Sequence, residues 1–222
     1  MSVDVSSGEW YKMKTTLDKV LQIESHITPY SLVPKVTSDF YQLSKVTYRR
    51  GIYRMEEVLG YEYFQVMKPI IVTKLQFRNT PEGKWEPLMV DDPLHWLGMK
   101  ELASKCTGNV LVGGLGMGLI LYHLLENKSV QSITIIEIDS ELTSFIQPYL
   151  PKDRKIKVVH ANYFNYVTKT LDMYNSAVID LWVLSEKSSN RHNVAQSMSV
   201  AKALTSNIST KVFIWGVKGQ FN

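Results

Sequence analysis

A glycine-rich turn, residues 113–118, directly follows the apolar run at 110–112. Glycines between a strand and a helix allow a tight turn and let the backbone come close to a ligand. The unpaired N–H groups of the helix that follows can then bind an anion. The candidate ligand-binding residues of this turn are Gly113, Gly114, Leu115, Gly116 and Gly118.

An acidic residue, Glu137, lies nineteen residues after Gly118, at the end of the next predicted strand. A carboxylate in this place can accept hydrogen bonds from both hydroxyls of a ribose. The turn and Glu137 together predict a site for a nucleoside-containing ligand. The alternative is a glycine turn that only packs a helix against a strand, with Glu137 as a solvated strand end.

The elements that must position these residues alternate between strands and helices from residue 109 onwards. Apolar runs predict strands at 109–113, 132–138, 156–160, 177–181 and 211–216, with helices at 117–127, 140–149 and 191–206. Such alternation indicates a parallel sheet covered by helices on both faces. We therefore predict an α/β, Rossmann-like fold, whose ligands bind at the carboxyl ends of the strands.

The preceding residues are predicted to form a separate extension, 1–84, ahead of the Rossmann-like domain at 85–222. Apolar residues at three- and four-residue spacing predict an amphipathic helix at 8–26. Residues 27–44 contain two prolines and are predicted to be irregular.

Four β-like runs then follow, at 45–54, 61–67, 70–77 and 85–90. A turn between the last two predicts a hairpin. Asp92 and Pro93 are predicted to be the N-cap and the first residue of a helix that ends near Cys106.

The composition is typical of a globular protein, with 45% hydrophobic and 21% charged residues. The single cysteine excludes an internal disulfide framework and a cysteine-based zinc cluster. The net charge of +4 indicates either a solvated lysine-rich surface or an anionic partner such as nucleic acid. No secretory signal or apolar stretch of membrane-spanning length is found, so we expect a cytoplasmic protein without membrane contact.

Four segments of the sequence resemble the class I S-adenosylmethionine-dependent methyltransferases, and most closely their spermidine synthase-like branch. The segments are VLVGGLGMGLILYHLL, ITIIEID, IKVVHANYFNYV and SAVIDLW. The branch has a similar glycine loop, a similar "EID" after the second strand, and β-strands ahead of the Rossmann core. The sequence is also similar to small methyltransferase-like proteins of phage genomes, which would place it in a host cytoplasm.

The resemblance implies S-adenosylmethionine, or its decarboxylated form, as the ligand. Glu137 would then bind the ribose and Ile138 would lie beside the adenine. The family's aspartate after the third strand is replaced by Asn162, whose amide oxygen can still accept from adenine. Tyr163 or Phe164 would stack on the adenine. The alternative roles are a turn residue for Asn162 and core aromatics for Tyr163 and Phe164.

Two carboxylates are predicted to be catalytic, and no metal site is predicted. Asp180 follows the fourth strand, where the resemblance implies an aspartate that binds and deprotonates an attacking amine. A helix cap is its alternative role. Asp91 lies where the synthase branch places polar ligands, whereas Asp92 is explained as a helix N-cap.

The first functional hypothesis is methyl transfer to an unknown acceptor, with catalysis mainly by alignment and desolvation. The alternatives are aminopropyl transfer, cleavage of S-adenosylmethionine, and a non-catalytic nucleotide-binding module. The glutamine and tyrosine pattern expected of a polyamine site is not found.

The resemblance also implies a strand hairpin after the fifth strand, for which the six residues after Gly216 are too few. An uncovered edge strand promotes association. We therefore expect a fold without that hairpin, and a homo-oligomer.

Overall fold

The computed structural model describes residues 20–58, 61–181, 199–201, 204 and 210–215. The first part of the predicted helix at 8–26, and most of the one at 191–206, lie outside these residues. Residues 199–201 and 204 are helical.

The N-terminal part of the chain forms two small sheets. The first, in the order β1-β5-β4, contains β1 (Val20–Ile23), β4 (Gly51–Val58) and β5 (Tyr61–Val66). The second, in the order β2-β3-β6-β7, contains β2 (Val36–Thr37), β3 (Tyr41–Tyr48), β6 (Ile70–Phe77) and β7 (Glu86–Val90). A short 3-10 helix, Pro29–Leu32, lies between β1 and β2.

The prediction of a helix at 8–26 is wrong over residues 20–23. These residues form β1, which pairs in parallel with β5 from Val20↔Tyr63 to Ile23↔Val66. Local apolar spacing fits a helix, but partners more than forty residues away take up the backbone hydrogen bonds of a strand. The prediction of an irregular segment at 27–44 is wrong in part, because the segment contains β2 and the start of β3, which pair antiparallel with Val36 opposite Leu43.

The predicted hairpin and the helix after it are confirmed. Strands β6 and β7 pair antiparallel, with Leu75 opposite Met89. Helix α1 (Pro93–Lys105) begins as expected, because the Asp92 side chain accepts a hydrogen bond from His95 N at 3.0 Å. The helix ends at Cys106, whose side chain is fully buried.

The rest of the described chain is an α/β unit around a parallel five-stranded sheet, as predicted. Its strands are β8 (Gly108–Gly113), β9 (Val130–Glu137), β10 (Ile156–His160), β11 (Ser176–Ile179) and β12 (Lys211–Ile214). Its helices are α2 (Leu119–Glu126), α3 (Ser140–Ile146) and α4 (Tyr163–Lys169). The strand order is β10-β9-β8-β11-β12, so the winding reverses between β8 and β11.

One hydrophobic core joins the four-stranded sheet to the parallel sheet. Leu43, Leu75 and Met89 belong to the same buried cluster as Val110 and Val112. Leu111, between those valines, belongs to a second cluster, because alternate strand residues point to opposite faces. Within the described part of the chain, no helix has the length and hydrophobicity needed to cross a bilayer.

Candidate functional site

The candidate site lies at the carboxyl edge of the parallel sheet, where the strand order reverses. Ile179, the last residue of β11, is opposite Gly113, the last residue of β8. Asp180 N donates a hydrogen bond to the Gly113 carbonyl oxygen at 2.9 Å. The two loops that leave β8 and β11 therefore start side by side, and such a crevice is the usual ligand site of open parallel sheets.

The glycine turn is packed closely against its neighbours. Gly114 has a φ of +90°, and a Cβ there would lie 2.1 Å from the Asp180 carbonyl oxygen. Gly116 has a φ of +49°, and a Cβ there would lie 2.5 Å from Met89 Sδ. The positive φ favours glycine at both positions, and a Cβ on Gly114 would also collide with the backbone of the loop after β11.

Glu137 lies at the end of β9 and connects that strand to the glycine turn. Its buried carboxylate accepts from Leu115 N at 2.8 Å and from Asp139 N at 2.9 Å, one bond on each oxygen. Each carboxylate oxygen has a second lone pair. The arrangement therefore leaves two acceptor positions that the hydroxyls of a ribose would suit.

Ile138 and Asn162 lie at the edge of the same region. The Ile138 side chain is 62% exposed, an unusual place for a large apolar group and a suitable one for the face of a base. The Asn162 side chain accepts from Asn165 N at 3.1 Å and caps α4. The structure thus gives Asn162 the turn role that was its alternative.

The structure places Tyr163 in the core instead of beside an adenine. Its side chain is buried, and a Cβ on Gly113 would lie 2.7 Å from its ring. It packs with Leu111 and Ile136 beneath the strand ends. The structure thus gives Tyr163 the core role that was its alternative, because the neighbouring strands enclose the ring.

Asp91, which the sequence predicts to be a catalytic carboxylate, lies in a buried hydrogen-bond network. Its carboxylate is buried, and it accepts from Thr28 Oγ1 and from Thr73 N, each at 2.5 Å. Burial raises the pKa of Asp91, while these two hydrogen bonds act in the opposite direction. Asp91 holds the segment before β2 against β6, which is a structural function.

Asp180 differs from Asp91 because no described residue donates a hydrogen bond to its carboxylate. Burial alone raises the pKa of Asp180 to about 7. The residue borders a cavity of about 20 Å³, together with Gly114, Met89 and Met99. An unpartnered carboxylate of this kind can accept a proton near neutral pH, or can pair with a cation.

Two tyrosines that could not be recognised from the sequence donate hydrogen bonds to the loops that border the site. The Tyr30 hydroxyl donates to the Met117 carbonyl oxygen in the glycine turn at 2.5 Å. The Tyr41 hydroxyl donates to Asp139, two residues after Glu137. The partners are 87 and 98 residues apart in sequence, and no local pattern marks such a pair.

Comparison with known proteins points to one family. Residues 97–209 match the family model described as the spermine/spermidine synthase domain. A polyamine aminopropyltransferase of Buchnera aphidicola subsp. Schizaphis graminum is 33% identical over 79 residues, which are 32% of this chain and 28% of that protein. Polyamine aminopropyltransferase 1 of Streptomyces coelicolor is 27% identical over 115 residues, which are 48% of this chain and 20% of that protein.

Among solved structures, the spermidine synthase of Thermotoga maritima is similar at 21% identity, with a TM-score of 0.38. The match covers 49% of this chain and 43% of that one. The chain thus spans less than a third of the length of these two curated relatives.

Proposed function

Because the chain belongs to the spermine/spermidine synthase domain family, we propose that it transfers the aminopropyl group of decarboxylated S-adenosylmethionine to an amine. The curated relatives named above are polyamine aminopropyltransferases, which favours this reaction over methyl transfer, the first hypothesis from sequence. Since the matches span only part of those relatives, the proposal rests on the site's own geometry.

The observation that carries the proposal is the Asp180 carboxylate beside the glycine turn, which receives no hydrogen bond from the residues that the structure describes. An amine that is bound as an ammonium ion has no lone pair, so it must lose one proton before its nitrogen can form a new bond. A carboxylate whose pKa is raised to about 7 is a better proton acceptor than an ordinary aspartate. It would also attract the positive charge of a sulfonium group.

The nucleoside would lie on the β9 side of the site. With one bond from a described residue on each oxygen, Glu137 keeps a further lone pair on each for the ribose, and the exposed Ile138 offers an apolar surface to the base. The glycine turn, held against Met89 and Asp180, would lie along the sulfonium end.

The chain's own residues would mainly bind, orient and accept a proton. When bound, the sulfonium supplies an electron-poor carbon and leaves as a neutral thioether when its carbon–sulfur bond breaks. The amine nitrogen donates its lone pair to that carbon, forming the carbon–nitrogen bond, and the electrons of the broken bond remain on sulfur. Before this attack, Asp180 takes one proton from the ammonium form of the amine, which frees the lone pair, and the alkylated nitrogen keeps its other two protons.

The nucleoside site is tested by calorimetric titration with 5′-methylthioadenosine. Glu137→Gln removes the charge and replaces one acceptor oxygen by a donor. We expect affinity to fall about 10- to 100-fold, since hydrogen bonds to a charged group contribute about 1.5–3 kcal/mol. The matched control is Glu141→Gln, an exposed acid on the first turn of α3, which should bind within about twofold of the wild type. If both variants bind 5′-methylthioadenosine equally well, Glu137 does not bind the ribose and the proposed nucleoside site is wrong.

The reaction is tested by product analysis. The protein is incubated with amines and either decarboxylated or intact S-adenosylmethionine. We expect an aminopropylated amine and 5′-methylthioadenosine from the decarboxylated form. A methylated product would restore the methyl transfer hypothesis. Thioether release that consumes no amine would favour cleavage instead.

A further inference from the structure

The loop that follows Glu137 is fixed by the carboxylate of Asp139. One oxygen of this carboxylate accepts from Glu141 N at 2.8 Å and from Leu142 N at 2.9 Å, and so caps α3. The other oxygen accepts from the Tyr41 hydroxyl. The loop is therefore bonded on one side to the helix that follows it and on the other side to the N-terminal part of the chain.

The Tyr41 side chain is itself held in place by its neighbours. Tyr41 is the first residue of β3, where it lies opposite Phe77 of β6, and its side chain is buried. Its ring packs against that of Phe145 in α3, with centroids 5.9 Å apart. The hydroxyl that binds Asp139 is thus carried by a paired strand and a packed ring, and not by a loop.

The residue that Tyr41 binds is also a neighbour of the ribose acceptor. Asp139 N donates to Glu137 Oε1 at 2.9 Å, and Leu115 N donates to Glu137 Oε2 at 2.8 Å. Asp139 therefore binds Tyr41 through its carboxylate and Glu137 through its N–H. A continuous chain of hydrogen bonds runs from β3, through Asp139, to the carboxylate that would meet the ribose.

The Tyr41 hydroxyl remains a donor near neutral pH. Burial raises the pKa of Tyr41, and the hydrogen bond to Asp139 and the negative charges of Asp139, Glu137 and Glu141 raise it further. The hydroxyl therefore keeps its proton, and Asp139 keeps this partner.

Resting on the proposed function, we propose that Tyr41 is a positioning residue for the ribose of the bound nucleoside. It would act through Asp139, by keeping the N–H of that residue on Glu137 Oε1 and so keeping the other lone pairs of the carboxylate toward the ribose hydroxyls. An acceptor that is fixed in advance loses less conformational freedom when the ligand binds, which raises affinity. The four-stranded sheet would thereby contribute to nucleoside binding without touching the ligand.

Tyr41→Phe tests this role, because it removes the hydroxyl and keeps the ring on Phe145. Dissociation constants are measured by calorimetry for 5′-methylthioadenosine, and by displacement titration for its 2′,3′-dideoxy analogue. We expect 5′-methylthioadenosine to bind about threefold to tenfold more weakly, the effect of losing one hydrogen bond. The analogue has no ribose hydroxyl for Glu137 and should bind the variant as it binds the wild type.

Tyr122→Phe is the matched control. Tyr122 packs against the same core, and its hydroxyl donates to the Tyr149 carbonyl oxygen at 2.6 Å and not to the loop after Glu137. Loss of this hydrogen bond should leave both dissociation constants unchanged. In the transfer reaction, Tyr41→Phe should raise KM for decarboxylated S-adenosylmethionine and leave kcat close to that of the wild type.

A double-mutant cycle identifies the route of the effect. If Tyr41 acts through Glu137, adding Tyr41→Phe to Glu137→Gln should weaken binding of 5′-methylthioadenosine little further. Fully additive losses would mean that Tyr41 acts by another route and would overturn the proposal.

The outcomes separate this proposal from the proposed function. An equal loss of affinity for both ligands, or a loss for neither, would overturn the positioning role of Tyr41 and leave the nucleoside site intact. If Glu137→Gln itself binds 5′-methylthioadenosine as the wild type does, the nucleoside site is wrong and the role of Tyr41 is overturned with it.

Discussion

The Asp180 carboxylate lowers the free energy of unfolding by an amount that depends on pH. Its pKa is raised from 3.8 to about 7 by burial, so the folded chain holds this proton more tightly than the unfolded chain. Between about pH 4 and pH 7 the folded state therefore binds more protons, and stability falls as the pH rises through this window. Below it both states are protonated, and the penalty is absent.

Replacing Asp180 by asparagine should thus stabilise the protein only where the acid would be charged. We expect Asp180→Asn to unfold at about the same temperature as the wild type near pH 4, and several degrees higher near pH 8. Aminopropyl transfer should fall at least about 100-fold because the proposed proton acceptor is removed. Thermal unfolding at several pH values measures the first effect.

The control for this variant is Asp39→Asn, at an exposed aspartate before β3. It should change neither the pH dependence nor the activity. A stability gain by Asp180→Asn of equal size at both pH values would contradict the raised pKa as its cause.

At the scale of elements, the sequence predicts correctly the elements that a strong local pattern marks. It does not predict those that depend on pairing with a distant strand. The bounds of β6 and β10 match the predicted runs at 70–77 and 156–160. Asp92 and Pro93 start α1 as predicted, because an N-cap depends on residues within one turn. The β1 strand was missed because its identity depends on β5, far along the chain.

The same distinction applies to the candidate site. Gly114, Glu137 and Asp180 lie at one edge because each ends or directly follows a parallel strand, and the carboxyl ends of such strands share that edge. The roles of Asp91 and Tyr163 could not be predicted in this way. Asp91 is enclosed by Thr28 and Thr73 of the N-terminal part, and Tyr163 by the opposite face of the sheet.

Tyr30 connects the N-terminal part to the glycine turn, and its hydroxyl can be tested directly. Tyr30→Phe leaves the buried Met117 carbonyl without this donor. We expect a loss of about 1–3 kcal/mol in the free energy of unfolding, and weaker binding of decarboxylated S-adenosylmethionine. Urea unfolding and calorimetry measure the two effects.

Tyr53→Phe is the matched control, because the Tyr53 hydroxyl donates to Arg49 O at an exposed turn. It should change stability by no more than about 0.5 kcal/mol. If both variants lose the same free energy of unfolding, the hydrogen bond from Tyr30 to Met117 does not stabilise the fold more than an exposed one does. Unchanged ligand affinity in Tyr30→Phe would mean that the turn keeps its geometry without it.

On the scale of the whole molecule, the shared core predicts that the two regions unfold together. Leu75 of β6 is fully buried in the cluster that contains Val110 and Val112 of β8. Leu75→Ala should cost about 2–5 kcal/mol. Hydrogen exchange should show the same loss of protection in β8 as in β6.

Leu171→Ala is the control, since Leu171 is 96% exposed. It should leave exchange in both sheets unchanged. Protection lost in β6 but kept in β8 would show that the four-stranded sheet opens on its own.

Cys106 makes such opening events measurable by simple chemistry. It is the one cysteine of the chain, it is fully buried in the shared core, and burial raises its pKa to about 12. Only a thiolate reacts with alkylating reagents, so the folded protein should be inert to them. The rate of alkylation would then report how often the core around α1 and β8 opens, and a cysteine introduced at the surface could carry a probe without competing modification.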